Sequence, residues 1–514
     1  MHLLTGEIGG MKLIKKVTAF ILAAVVLFTS PLHAFAAPAG FEGGVHNEYQ
    51  YQELVFITGE PRIFSGELKI TENIRSGTDK ITYKYTLTDK DATEKTKLSR
   101  TVTFETEYTA KDDKGQTIGR TVLTRFSERI DIGGDRYELE DYQFSKSDVI
   151  DNRPASDFYS GNFEARKYYS INRGEGEVIV TISGGNVGYE NFWGSTETQI
   201  INYYITYQRK VSDEEGETQN VSWEGTVRAE VSDSMTKRLV YSENEASLSS
   251  FYGGYVRTTN RELVSKYEYD LPRIRDNMPD KKQRVRDSIK LSESMVPKVE
   301  RLPVPKFRDV MGHWAEEYIS KLYSLDVFDE SQNFFAPEAP MTRVEFTKGV
   351  IRACDIRTSM DDDTQRKSAR RRREPPEESP FKDVSVDDIN YQYVKQGLEK
   401  NIITGVSKDF FMPNASLTRA EAVTILMRAL GFTSRAPNPG YYTSFSDDEK
   451  IPNWARDAVY VAREIGIIQG DSYNRFNPDK VMTRAEASAM LVRFLEFLER
   501  DLQRDYRENI ILFN

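Results

Sequence analysis

The chain has 514 residues, 29% of them charged and 11% aromatic, and a formal net charge of −10. This length accommodates more than one domain, and the acidic balance argues against a general nucleic-acid binder, which would present a basic face. A lone cysteine, Cys354, excludes an intramolecular disulfide; set among Val350, Ile351 and Ala353, it reads as a buried, inert thiol.

The first element is a leader. Lys12, Lys15 and Lys16 precede an apolar run from Val17 to Phe28, and Ala34-Phe35-Ala36 offers a small-x-small cleavage site. This is the layout of a secretory signal peptide over residues 1–36, with Met11 as an alternative start. The apolar run is too short to span a bilayer comfortably, so no retained transmembrane segment is expected. Cleavage removes three Lys and one Glu and takes the net charge from −10 to −12.

Residues 38–280 read as β. Period-two runs recur at Lys80–Leu87, Thr101–Phe104, Glu177–Ile182 and Tyr203–Tyr207, separated by turn clusters such as Gly133-Gly134-Asp135. Many short strands with regular turns imply a sandwich or barrel. Ile81–Tyr108 resembles Ile201–Arg228, which leaves open one β-domain or two duplicated ones.

Catalytic signals are sparse. Of the four histidines, His2 and His33 leave with the leader, and His46 and His313 remain. Histidine triads and multi-histidine zinc sites are therefore not expected here, nor any metal or cofactor. No Gly-x-Ser-x-Gly elbow, Walker loop or His-Glu-x-x-His is present. A glycosidase needs only a positioned carboxylate pair, and nothing singles one out. Trp193, with Phe192 and Tyr189, offers a sugar platform, although a core tryptophan beside a loop is the more ordinary outcome. Residues 281–306 are charged and end in Pro303-Val304-Pro305, which reads as a linker with a short helix around Ser288–Ser294.

One unit then recurs three times, at 307–356, 381–434 and 445–500, with a charged insertion at 357–380. Each copy opens with Phe-x-Asp, at Phe307, Phe381 and Phe445, and continues to Phe-x-Pro, at Phe335, Phe411 and Phe476. Five residues after each Pro comes Thr-Arg-x-Glu, beginning at Thr342, Thr418 and Thr483. Thr and Glu at this spacing form a capping box, so they start a helix. The arginines Arg343, Arg419 and Arg484 fall at the first helical position, where a cation is mildly disfavoured. Two readings stand: free N–H groups and a guanidinium hold an anion, or each arginine pairs with Asp309, Asp383 or Asp447. A first helix precedes each box, with an apolar stripe beginning at Trp314 in copy one and Trp454 in copy three; Ile389 takes that place in copy two. Gly466 and Gly470 flank the closing loop of copy three, with Asn401 and Gly405 in copy two. Copy one has Asp326 and Glu330 there, which predicts a differently built loop.

Phe-x-Asp-Val, His-Trp-Ala, Gly-Ile-Ile-x-Gly, Phe-x-Pro and Thr-Arg-Ala-Glu in this order resemble S-layer homology domains, three in tandem. The resemblance implies a multidomain protein in which an all-α pseudo-threefold prism follows the β-rich, sandwich-like region. It also implies grooves that bind acidic, typically pyruvylated, secondary cell-wall polysaccharide. Carried over, the binding residues are Arg343, Arg419, Arg484, Trp314, Trp454, Gly405 and Gly470, supported by Asp309, Asp383 and Asp447. Ile389 and Glu330 depart from the pattern, which favours the arginines of copies two and three. The expected function is a secreted, non-enzymatic, wall-anchored surface protein. The rivals are an anchored glycan hydrolase and a lattice-forming subunit.

Overall fold

A computed structural model describes residues 42–505 except 76, 90, 93, 112–113, 213–217, 244–252, 276–277, 330–332 and 355–376. The leader, Glu330 and the arginine run of the insertion lie outside the described residues.

Among the described residues fourteen strands form one antiparallel sheet. The first seven are β1 (Val45–His46), β2 (Tyr51–Val55), β3 (Arg62–Arg75), β4 (Thr78–Asp89), β5 (Lys97–Lys111), β6 (Gln116–Ile132) and β7 (Asp135–Asn152). Then come β8 (Asp157–Ile171), β9 (Gly176–Asn191), β10 (Gly194–Ser212), β11 (Thr218–Ser242), β12 (Gly254–Arg275), β13 (Met278–Ser294) and β14 (Lys298–Pro303). Each of the first thirteen pairs with its chain neighbour, and β14 returns to β12. The expected sandwich is thus replaced by a single curled meander, a half-barrel. Alternation says which face of a strand is buried, but not whether a second sheet or the same sheet covers it. The two similar hairpins are β4–β5 and β10–β11 of this one sheet.

The expected linker and short helix are also corrected: residues 278–294 are β13 and 298–303 are β14. Lys, Arg and Asp on an outer strand hide its alternation, and such charge is how sheets protect an edge from further pairing. Bulges between Thr103 and Phe104, Leu139 and Asp141, and Pro272 and Arg273 bend the strands. The curl brings β1 against β12 and β13. There Asn47, Gln50 and Gln52 all donate to the Glu293 carboxylate, at 2.6–2.8 Å.

The inner face is tyrosine-rich, with Tyr51, Tyr85, Tyr142, Tyr169 and Tyr267 buried. Among them Arg100 donates to Glu53 at 2.8 and 2.9 Å and to Glu128 at 2.8 Å. Lys167 donates to Glu42 at 2.5 Å and to Glu128 at 3.1 Å. Burial alone would push Glu128 up, but Arg100 and Lys167 overrule it and hold it down to about 2.

The repeats contribute α1 (Glu316–Ser324), α2 (Arg343–Ala353), α3 (Tyr391–Glu399), α4 (Arg419–Leu430), α5 (Asn453–Glu464) and α6 (Arg484–Glu496). Their buried side chains form one core with Tyr189 of β9, Ala155 of the β7–β8 turn and Trp193 of the β9–β10 turn. Trp193 is therefore a core residue, not a sugar platform. Cys354 is buried, in line with the inert-thiol reading. No helix among the described residues is long and apolar enough to cross a membrane.

Candidate functional site

The three capping boxes form as the sequence predicts. Thr342, Thr418 and Thr483 each accept from the N–H of the Glu three residues on, and each Glu reaches back to the threonine N–H. The three repeats are then tied in a cycle. Met341 N–H donates to Met482 O, Met482 N–H to Leu417 O, and Leu417 N–H to Met341 O, at 2.8–2.9 Å. All three residues are buried.

The remaining amides of each first turn point to the next copy. Arg343 and Val344 donate to Ala415 O and Pro413 O, Arg419 and Ala420 to Lys480 O and Pro478 O, and Arg484 and Ala485 to Ala339 O and Pro337 O. The free N–H groups expected to greet an anion are therefore taken by the carbonyls of the neighbouring Phe-x-Pro loop.

The aspartates hold that loop. Asp309 accepts from Phe335 and Ala336 N–H, Asp383 from Phe411 and Met412, and Asp447 from Phe476 and Asn477, all at 2.6–3.0 Å. The middle residue of each Phe-x-Pro is left-handed, at φ 54° for Ala336, 59° for Met412 and 54° for Asn477. The two amides flanking that bend need an acceptor, and the aspartate supplies it. Asp309, Asp383 and Asp447 thus build the loops rather than pair with the arginines.

The arginines reach the capping glutamate of the next copy instead. Arg343 Nη1 lies 2.5 Å from Glu421 Oε1, and Arg484 Nη1 lies 2.5 Å from Glu345 Oε1. Each also stacks over the next copy's loop phenylalanine: Arg343 over Phe411, Arg419 over Phe476 and Arg484 over Phe335, at 4.5–5.4 Å. Arg419 breaks the series. Its counterpart Glu486 takes Lys480 Nζ at 2.5 Å, where the other copies have Ala339 and Ala415. Arg419 donates to Gln469 O at 2.7 Å, and its Nε has no partner among the described residues. Burial pushes its guanidinium below the usual range; Glu486 opposes this and nearby Arg493 adds to it.

Gly405 and Trp454 meet Arg343 in one groove of about 310 Å³, lined also by Thr404, Glu421 and Arg428. It takes Arg343 from copy one, Gly405 and Arg428 from copy two, and Trp454 from copy three. Gly405 is held to its type by space: an added Cβ would stand 2.2 Å from Ser407 O. Sequence reading missed Arg428, which has no carboxylate at ion-pair distance among the described residues. It donates to Thr404 Oγ1 at 3.2 Å, and burial pushes its guanidinium down. The signal was available, since an arginine stands nine residues after each of Arg343, Arg419 and Arg484, at Arg352, Arg428 and Arg493.

The second arginine differs by copy. Arg493 is exposed near Arg419, where Gln469 and Gly470 close the loop. Arg352 instead pairs with Asp329, which also takes Lys348 at 2.6 Å. Among the described residues, the surroundings of Arg343 and Arg419 thus each keep a second arginine without a carboxylate, and copy one neutralises its own. Trp314 and Trp454 are 57% and 56% exposed, so neither belongs to the buried stripe, and Ile389 at the same place is 87% exposed. The closing loop of copy one starts like the others: Asp326 has φ 55°, beside 57° for Asn401 and 80° for Gly466, while Glu330 lies outside the described residues. Val327, Ile402 and Ile467 each donate back to the carbonyl five residues earlier.

Glu190 and Glu197 are both raised to about 7, first by burial, but Glu197 is only 3% exposed and out of reach of a sugar chain.

The family model for the S-layer homology domain matches residues 306–347, 380–423 and 444–488. An amylopullulanase of Thermoanaerobacterium thermosulfurigenes is 32% identical over 193 residues, 37% of this chain and 9% of that protein. A surface-layer 125 kDa protein of Lysinibacillus sphaericus is 32% identical over 119 residues, 23% and 10% of the two chains. A cellulosome-anchoring protein of Acetivibrio thermocellus is 32% identical over 96 residues, 19% and 21%. The chain thus spans a small part of the length of these relatives. Three tandem S-layer homology domains occupy its C-terminal part, and the chain is a cell-surface protein.

Proposed function

We propose that the three repeats hold this protein non-covalently on secondary cell-wall polysaccharide through an acidic, pyruvylated sugar, and that the half-barrel is a non-enzymatic structural or binding region. The observation that carries the reading is the groove around Arg343: a buried guanidinium, Arg343, and a half-buried one, Arg428, face a single carboxylate, beside an exposed tryptophan and a glycine with no room for a side chain. Surplus positive charge in a partly desolvated groove favours a carboxylate ligand, and the tryptophan face suits a sugar ring. Arg419, short of its carboxylate and beside Arg493, supports a second groove. Arg484, with Arg352 neutralised and Ile389 in the aromatic place, supports none. The working grooves are therefore assigned to Arg343 and Arg419, not to Arg419 and Arg484.

Co-sedimentation of the full chain with purified wall polysaccharide, before and after removal of the acidic substituent, tests this. Arg428→Ala combined with Arg419→Ala should release the chain into the supernatant, and Arg352→Ala should not. A full chain that never sediments, or that sediments equally without the acidic substituent, would end the proposal.

A further inference from the structure

A second groove, of about 700 Å³, lies on the outer face of the sheet across β9 to β13. Two cross-strand rows floor it. One runs Ser183, Asn202, Arg228, Glu268, Ser288, and the other Thr181, Tyr204, Thr226, Asp270, Arg286; in each row every residue stands opposite the next. Five strands at the usual spacing make a trough about 19 Å long, enough for several sugar units in line.

The chemistry changes along it. Ser183, Thr181, Asn202 and Thr226 are neutral hydroxyl and amide groups, and no hydrogen bond engages their side chains among the described residues. Tyr204 stands among them, 44% exposed, with its hydroxyl held by Glu224. The cations are each paired: Arg228 of β11 with Glu230, Arg284 and Arg286 with Asp270, and Lys266 with Glu268; Asp287 has no cation at ion-pair distance among the described residues. A row of uncommitted hydroxyls beside an exposed aromatic ring, with its cations already paired, suits a neutral polyhydroxylated chain. Among the described residues an anionic polymer would find no free cation there, and an apolar partner would find no continuous apolar surface.

The trough also stands apart from the repeats. On β10 the repeats are met at Thr196, which accepts from Gln503. Tyr204 is eight residues farther along the same strand, about 26 Å at the rise of a β-strand. A wall polymer held by the repeat grooves would not lie in it by default.

We propose that this trough binds a neutral extracellular glycan chain from outside the wall, with Tyr204 as the stacking platform and Asn202 and Thr226 as hydrogen-bonding positions. Affinity electrophoresis of the full chain, in gels cast with a soluble neutral β-glucan or with glycol chitin, tests it. Migration should be retarded on at least one of the two, and Tyr204→Ala and Asn202→Ala should each weaken the retardation roughly fivefold or more. Tyr204→Phe should keep most of it, and Arg428→Ala should leave it unchanged. The variants sit on an exposed face, so matched melting temperatures will separate lost binding from lost folding. No retardation on either polymer, retardation indifferent to Tyr204, or retardation lost with Arg428→Ala would each overturn the proposal.

Discussion

Glu197 stands where an acid is poorly accommodated as an anion. Gln199 donates to its Oε1 at 2.8 Å, but Oε2, Gln199 Oε1 and Asn186 Oδ1 are buried with no partner among the described residues. Asn186 and Gln199 are directly opposite in the sheet, and Glu197 lies two residues along on the same face. Three oxygens and no proton between them is an unfavourable arrangement; a proton on Glu197 gives one of the amide oxygens a donor. Burial is thus the first cause of its rise to about 7, Asp233 and Asp148 add to it, and Lys146 and Gln199 oppose it. An acid held more tightly protonated when folded contributes stability that is complete below its unfolded value of 4.5 and lost as pH rises through about 7. Glu128 runs the other way, its contribution present above 4.5 and lost as pH falls toward about 2. Half-buried His46, pushed down from 6.5 first by burial, opposes Glu197 in the neutral range, so the difference between two proteins is the clean readout. Glu197→Gln supplies the missing donor at every pH. In chemical denaturation it should exceed the parent by about 1–3 kcal/mol at pH 8 and match it at pH 4. A variant weaker than the parent at pH 8 would show that Glu197 is needed as an anion.

At the scale of elements, the repeats pair a legible helix start with an illegible neighbour. The Phe-x-Pro loop demands a left-handed residue at its centre, and the three copies meet that demand unequally with Ala336, Met412 and Asn477. Asn tolerates this conformation best, whereas a long side chain is strained there. Met412 is about half exposed, so little packing is lost by changing it. Met412→Asn should stabilise the chain by a few tenths to about 1 kcal/mol, read as a higher denaturation midpoint at unchanged slope. An unchanged or lower midpoint would mean that the Met412 side chain, not its backbone, decides. The capping boxes and the αL ends at Asn401 and Gly466 could be read from the sequence because both are local. That Arg343 pairs with Glu421 could not, because the partner sits 78 residues away and depends on the order in which the copies close their ring. The single Lys480 that diverts Glu486 and frees Arg419 has a meaning only once that order is known. The sheet was legible to the same depth. Tyr203-Ile205-Tyr207 gives the buried face of β10, but nothing local says that β9 and β11 rather than a second sheet complete it.

The whole molecule follows from a core that ignores the boundary between its parts. Trp193 of the β9–β10 turn and Tyr189 at the end of β9 pack among the repeat helices. Around them Ala155 N–H donates to Ala429 O at 2.9 Å, Tyr255 Oη to Glu317 O at 3.4 Å, and Asn191 Nδ2 to Leu498 O at 3.4 Å. These bonds reach α1, α4 and the turn after α6, so all three repeats are fastened directly to the β-region. Residues 41–514 accordingly make one compact unit. A seam this apolar should couple unfolding, because neither part can leave without exposing the indole and the helices around it. Scanning calorimetry of the full chain is therefore expected to give one transition. Trp193→Ala removes the largest shared side chain, at a cost of about 3–5 kcal/mol for a buried tryptophan. It should split the transition in two while leaving wall binding at low temperature intact, since the indole lies outside the Arg343 groove. If the unaltered chain already melts in two steps, the seam does not couple the parts. If Trp193→Ala instead abolishes wall binding in a folded protein, the sheet takes part in shaping the grooves of the repeats.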